Sequence, residues 1–163
     1  MLMRGMTVDE ILQSSDARKE YMGIWEKSGV NVASATYAGP IAPDAAFEES
    51  LTSMTQARAM LDALDDEVRL ILTADDIENA YRDGKRGVIF DFQDTTPFGT
   101  DLGKIELFRN IGLRVVQLTY NLRNLVGDGC TERYKTGLTY FGIEMVERLN
   151  DLNMAIDVSH CSE

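Results

Sequence analysis

Apolar and polar positions alternate along this chain in two rhythms, one of three- and four-residue steps and one of short unbroken runs. Ile11, Tyr21, Ile24 and Trp25 fall among the apolar positions of a helix expected to run from Thr7 to Lys27. Thr7 and Glu10 make a capping box at its start, and Ser28-Gly29 closes it. Residues 30–37 are short, β-branched and bounded by glycines, the pattern of a buried strand. Gly39-Pro40-Ile41-Ala42-Pro43 is a stiff loop. Phe47, Leu51, Met54, Leu61 and Leu64 then mark the buried stripe of a long helix over residues 44–64. Residues 68–72 read as a short strand or connector. Thr73 caps a helix reaching Tyr81, with Asp75 and Asp76 suited to its positive end.

The second half repeats strand and helix more regularly. Strands are expected at residues 87–92, 114–120 and 154–160. Leu102, Ile105 and Phe108 mark a helix ending near Gly112, and Leu138, Phe141, Met145, Leu149 and Leu152 mark another. Such alternation predicts parallel βαβ units with all strand C-terminal ends on one face. The Gly-rich turn of open nucleotide-binding sheets is absent. Polar residues gather instead after three successive strands: Gln93-Asp94-Thr95-Thr96, Tyr120-Asn121 with Asn124, and Ser159-His160. That is the layout of a barrel's active-site rim. The expected fold class is α/β, a partial (β/α)8 TIM-type barrel. A closed barrel takes about 250 residues, so these 163 residues form a single, incomplete domain of about half to two-thirds of one.

Composition narrows the partners. A net charge of −11 repels phosphate backbones and anionic lipid, which argues against nucleic-acid and membrane-surface binding. No apolar run approaches the roughly 20 residues of a membrane span, and the first residues are too short a stretch for a secretory signal. Two cysteines, Cys130 and Cys161, do not make a disulfide scaffold, so a reducing cytoplasm is expected.

His160, the chain's single histidine, closes the last expected strand. If it points to the barrel axis, so do Ile156 and Val158, and Asp157 faces the helices. An imidazole so placed is either a zinc ligand or proton shuttle, or a structural hydrogen-bonding group. Asn121, Asn124 and Asp128 are either substrate contacts or members of a hydrogen-bonded turn. Cys161 is either a thiolate ligand or a buried inert thiol.

Several ordered motifs sharpen this. Residues 112–121, reading Gly-Leu-Arg-Val-Val-Gln-Leu-Thr-Tyr-Asn, precede Asn124. Gly137-Leu138-Thr139-Tyr140-Phe141-Gly142 and Ile156-Asp157-Val158-Ser159-His160 follow. Together they resemble the membrane dipeptidase family, peptidase family M19, over roughly residues 74–162. The resemblance implies a (β/α)8 barrel of the metal-dependent-hydrolase kind, in which two zinc ions hydrolyse dipeptides. It makes His160 the metal ligand after the fifth strand. Gln93 stands where the family's bridging glutamate belongs, and Tyr120 where a substrate-binding histidine belongs. Asp91 and Asp94 flank Gln93 as possible carboxylates. The first-strand His-x-Asp pair is missing, and a sixth-strand histidine would lie past Glu163. Gln93, Tyr120 and Asn121 are thus the catalytic candidates, His160 the metal candidate, and Asn124 and Asp94 the substrate-binding candidates. The implied function is metal-assisted hydrolysis of dipeptides or related small amides, with this chain inactive by itself. The alternatives are a non-catalytic barrel relative that binds a ligand or partner without metal, and a metal-free hydrolase using Tyr120 and His160 as acid and base. An open edge at the last strand predicts association with a second copy or with the missing barrel portion.

Overall fold

The computed structural model describes residues 15–38 and 42–163. The expected capping box at Thr7 and Glu10 lies outside them, as does the loop at residues 39–41. The elements then follow the expected order: α1 (Ser15–Ser28), β1 (Val32–Ala38), α2 (Pro43–Ala63), β2 (Val68–Leu70), α3 (Ala74–Arg82), β3 (Arg86–Phe92), α4 (Gly103–Ile111), β4 (Leu113–Gln117), α5 (Tyr140–Asp151) and β5 (Ala155–Asp157). A 3-10 turn at Thr96–Phe98, which hydrophobic periodicity does not announce, follows β3.

Local chemistry explains the boundaries. Pro43 opens α2, where its missing N–H costs nothing. The Thr73 hydroxyl accepts from the Asp76 amide at 3.3 Å while the Asp76 carboxylate accepts from the Thr73 amide at 2.8 Å, closing a capping box on α3. Gly112 ends α4 at φ 137°, a conformation that L side chains rarely adopt.

Among the described residues all strand pairs are parallel. β3 is central: β1 pairs along one edge from Gly87 to Phe92, and the other edge is divided between β2 and β4. β5 then pairs with β4. The Arg114 guanidinium donates to the carbonyls of Leu72, Arg109 and Leu113 at 2.7–2.8 Å, satisfying backbone groups where β2 hands over to β4.

The core lies between this sheet and its helices. Phe90, Phe92, Leu113 and Val116 pack with Met54, Ala57 and Leu61 of α2, Ile105 and Phe108 of α4, and Met145 and Leu149 of α5. Phe92 meets Phe108 edge-on at 4.9 Å between ring centroids, and Phe98 from the 3-10 turn stands 5.8 Å from Phe108. Burying the four phenylalanines of this cluster, each worth about 1.5–3 kcal/mol, anchors the chain directly beneath the strand ends.

Two strand expectations need correction. The strand expected to reach Tyr120 ends at Gln117. The strand expected over residues 154–160 spans only Ala155–Asp157, so His160 lies beyond the sheet at φ 62°. The facing assignment is also reversed. Ile156 stands opposite fully buried Val116 and joins the core, whereas Asp157 stands opposite Gln117. Val158, outside the strand, is 68% exposed. The register comes from pairing with β4, and a count back from His160 carries the wrong phase because the chain leaves strand geometry first.

Candidate functional site

The C-terminal ends of β3, β4 and β5 and the segments after them share one rim. After β5 a tight turn forms: the Asp157 carboxylate accepts from the Ser159 amide at 2.7 Å, and the Val158 carbonyl accepts from the Cys161 amide at 3.1 Å. His160 takes the left-handed conformation within it. Its imidazole is exposed and stacks on the Tyr120 ring at 4.4 Å, 17° from parallel. Its Nδ1 lies 3.0 Å from Asn121 Oδ1. Tyr120, Asn121 and His160, three of the expected site residues, are therefore brought together.

Cys130, which the sequence offered only as one of two cysteines too few for a disulfide scaffold, joins them. Gly129 bridges Cys161 in antiparallel fashion, and the Cys130 amide donates to the His160 carbonyl at 2.7 Å. Its thiol lies 3.9 Å from His160 Nδ1 and 3.8 Å from Asn121 Oδ1. Gly129 makes this possible, because a side chain there would overlap the Asn121 carbonyl. Glycines on both sides of Asp128 were the available signal of a close backbone approach. Cys161 faces the other way and accepts from the Thr119 hydroxyl at 3.4 Å.

Gln93 lies at the end of β3, where its amide donates to the Ala38 carbonyl at 2.7 Å. β4 lies between β3 and β5, so Gln93 and His160 follow strands that are not neighbours. Asp91, buried on β3, accepts from the hydroxyls of Ser34 and Thr36, the latter at 2.7 Å.

The two expected substrate-binding residues hold the loop together. Asp94 is buried and accepts from the Thr96 amide at 2.7 Å and from the Thr96 hydroxyl, forming the turn into Thr96–Phe98. Asn124 donates to Asp94 Oδ2 at 3.1 Å, Thr95 Oγ1 at 3.0 Å and the Leu118 carbonyl at 2.8 Å. Its own Oδ1 accepts from the amides of Val126 at 2.8 Å and Gly127 at 3.2 Å. The polar capacity of Asn124 is spent on protein groups.

Asp128 performs the same service further along. It is 4% exposed and accepts from the amide and hydroxyl of Thr136, from the Gly137 amide and from the Arg123 guanidinium. The Thr136 amide first, then Arg123, hold its carboxyl down from 3.8 to about 2. Because the folded value lies below the unfolded one, its stabilising effect is complete above pH 3.8 and is lost as pH falls towards 2. Unfolding midpoints of wild type and Asp128→Asn, measured by urea titration, should differ at pH 6 and converge across that window. A difference that stays constant down to pH 2 would contradict this account.

Among the described residues no helix is long and apolar enough to cross a membrane, and no three His, Cys, Asp or Glu side chains converge on a common point.

The chain is similar to several known proteins. The Pseudomonas aeruginosa amidohydrolase structure superposes with a TM-score of 0.79 at 31% identity, covering 88% of this chain and 42% of that one. A Rhodobacter sphaeroides metallopeptidase, liganded with a phosphinate mimic of the dipeptide L-Ala-D-Ala, matches in fold with a TM-score of 0.76 at 18% identity, covering 94% of this chain and 56% of that one. Dipeptidase tcpJ of Claviceps purpurea (strain 20.1) is 25% identical over 121 residues, which are 73% of this chain and 28% of that protein. The chain therefore spans less than half the length of the curated relatives it matches. Its parallel sheet is part of a (β/α)8 barrel. The model of the membrane dipeptidase family matches residues 22–163, and the chain belongs to that family, peptidase family M19.

Proposed function

We propose that this chain forms part of the substrate rim of a metal-dependent hydrolase acting on dipeptides or related small amides, and that the 163 residues alone do not turn over. The observation that carries the reading is the His160 imidazole, stacked on Tyr120 and hydrogen-bonded to Asn121 in the turn that follows a barrel strand. The dipeptide class is taken from the liganded metallopeptidase that shares this fold. His160 accepts or returns a proton, or offers its nitrogen to a cation. The Tyr120 hydroxyl donates a hydrogen bond, and the Gln93 carboxamide contacts the far end of a small peptide.

The family is one of metallopeptidases, and zinc is the proposed metal. A two-zinc centre needs several anionic and imidazole ligands. Here Gln93 is neutral, and the carboxylates beside it are engaged: Asp91 by Ser34 and Thr36, Asp94 by Thr96 and Asn124. Among the described residues the donor set does not fit such a centre, and His160 is the position open to zinc. The same neutral Gln93 favours a second reading, a barrel relative that binds a small ligand without metal. The outer edge of β5, unpaired among the described residues, supports association with a second copy or with further barrel strands.

The test uses the purified chain, whose one histidine gives one imidazole signal by NMR. Adding L-Ala-D-Ala should shift that signal saturably, zinc should bind weakly, and no dipeptide should be cleaved. An imidazole unmoved by dipeptide would remove the substrate assignment. Robust turnover would overturn the ligand accounting, and stoichiometric tight zinc would rule out the metal-free reading.

A further inference from the structure

The two nitrogens of His160 sit in different surroundings. Nδ1 faces protein, with Asn121 Oδ1 at 3.0 Å and Cys130 Sγ at 3.9 Å. Nε2 is the second nitrogen of the same exposed ring. A neutral imidazole carries one proton, and the nitrogen that donates it cannot also offer a lone pair. The partner of one nitrogen therefore decides what the other can do.

We propose that Asn121 is a positioning residue: its amide oxygen accepts the Nδ1 proton of His160 and fixes the tautomer in which Nε2 carries the free lone pair. The proposal rests on the reading of His160 as the working group of the rim. The surroundings hold every part of this contact in place. The Asn121 carbonyl accepts from the Thr131 amide at 3.0 Å and the Thr131 hydroxyl at 2.5 Å, so its backbone cannot swing. Gly129 lets the neighbouring segment press against that same carbonyl. On the histidine side, the backbone carbonyl is tied to the Cys130 amide at 2.7 Å and the ring lies flat on Tyr120. Stacking leaves the ring little freedom to rotate about its long bond, so the hydrogen bond selects between nitrogens of an already oriented ring. The Cys130 thiol is a second group beside Nδ1, at 3.9 Å, so Nε2 is the nitrogen offered to a substrate proton or a cation.

This assignment separates Asn121 from a substrate contact. A contact residue would alter affinity and leave the resting histidine unchanged. A positioning residue alters the histidine before any substrate arrives. Losing one neutral hydrogen bond should change the tautomer ratio on the order of five- to tenfold.

The experiment is long-range 15N–1H correlation NMR of the uniformly labelled 163-residue chain with its imidazole neutral. In the wild type Nδ1 should give the protonated-type shift and Nε2 the unprotonated-type shift. Asn121→Leu should move the population towards the Nε2–H form, and Asn121→Asp, which keeps an acceptor oxygen, should hold the wild-type pattern. A wild-type spectrum dominated by Nε2–H overturns the proposal, since the amide would then be donating to Nδ1. A ratio unchanged in Asn121→Leu overturns it as well. If Asn121→Leu fails to fold, the wild-type and Asn121→Asp spectra decide between the same outcomes. The dipeptide titration reads the substrate assignment separately, so failure of one leaves the other standing.

Discussion

Gly142→Ala should cost about 3 kcal/mol or more of folding stability and lower the urea unfolding midpoint accordingly. Gly142 is the third residue of α5, and its amide donates to the hydroxyl of the capping residue Thr139 at 2.9 Å. Thr139 in turn donates its hydroxyl to the Leu125 carbonyl at 2.7 Å, and its amide to the Val126 carbonyl at 2.9 Å. The first turn of the helix is thus pressed onto the chain between Asn124 and Gly127. A methyl group at residue 142 would overlap the Val126 carbonyl oxygen, and both partners are backbone. No rotamer change can relieve that overlap. Either α5 or the loop must move, and Val126, fully buried, moves with it. Gly23→Ala is the matched control, because nothing lies near a side chain there. It should be neutral or slightly stabilising, as expected for removing a helix-interior glycine. Equal stabilities for the two variants would refute the packing described for α5.

Asn124→Leu should be the other severe substitution. Its carboxamide joins three segments: it donates to Asp94, Thr95 and Leu118, and accepts from Val126 and Gly127. Leucine matches the size but leaves two backbone amides without their acceptor and removes a donor from the buried Asp94 carboxylate. Each such group costs about 1–3 kcal/mol when left unsatisfied, and solvent reaching this half-buried position brings the expected total to about 3 kcal/mol. In a domain of this size that is a fall in Tm of roughly 10 °C, readable by circular dichroism. The same variant should disturb the rim chemically, since the loop it holds leads directly into Cys130. A loss under 1 kcal/mol would show that Asn124 is not the clasp described here.

The fold was largely legible because its signals are local. Thr73 and Asp76 announce their capping box by spacing alone, and the stripe through Met54 and Leu61 names the buried face of α2. The order of strand ends along one rim followed from βαβ alternation. What escaped was set by contacts distant in sequence. Ile156 turns to the core because Val116 lies opposite it, and no period within β5 reveals that. Asn124 and Asp94 look like substrate ligands in a list of polar residues after strands. Only folding shows that they satisfy each other. Cys130 comes beside His160 through an antiparallel bridge of two irregular segments, which periodicity does not describe. The resemblance to a metallopeptidase named Tyr120, Asn121 and His160 but could not say that the Cys130 thiol lies beside them.

The left-handed backbone at His160 narrows how this position can drift over generations. Glycine, asparagine and aspartate enter that conformation readily, whereas valine, isoleucine and threonine meet a steric penalty there. A lineage leaving histidine behind is therefore channelled towards small polar replacements, among them a carboxylate that still attracts cations. Chemistry at this corner can be retuned by one nucleotide change or silenced, but a greasy branched side chain is a path the main chain itself discourages.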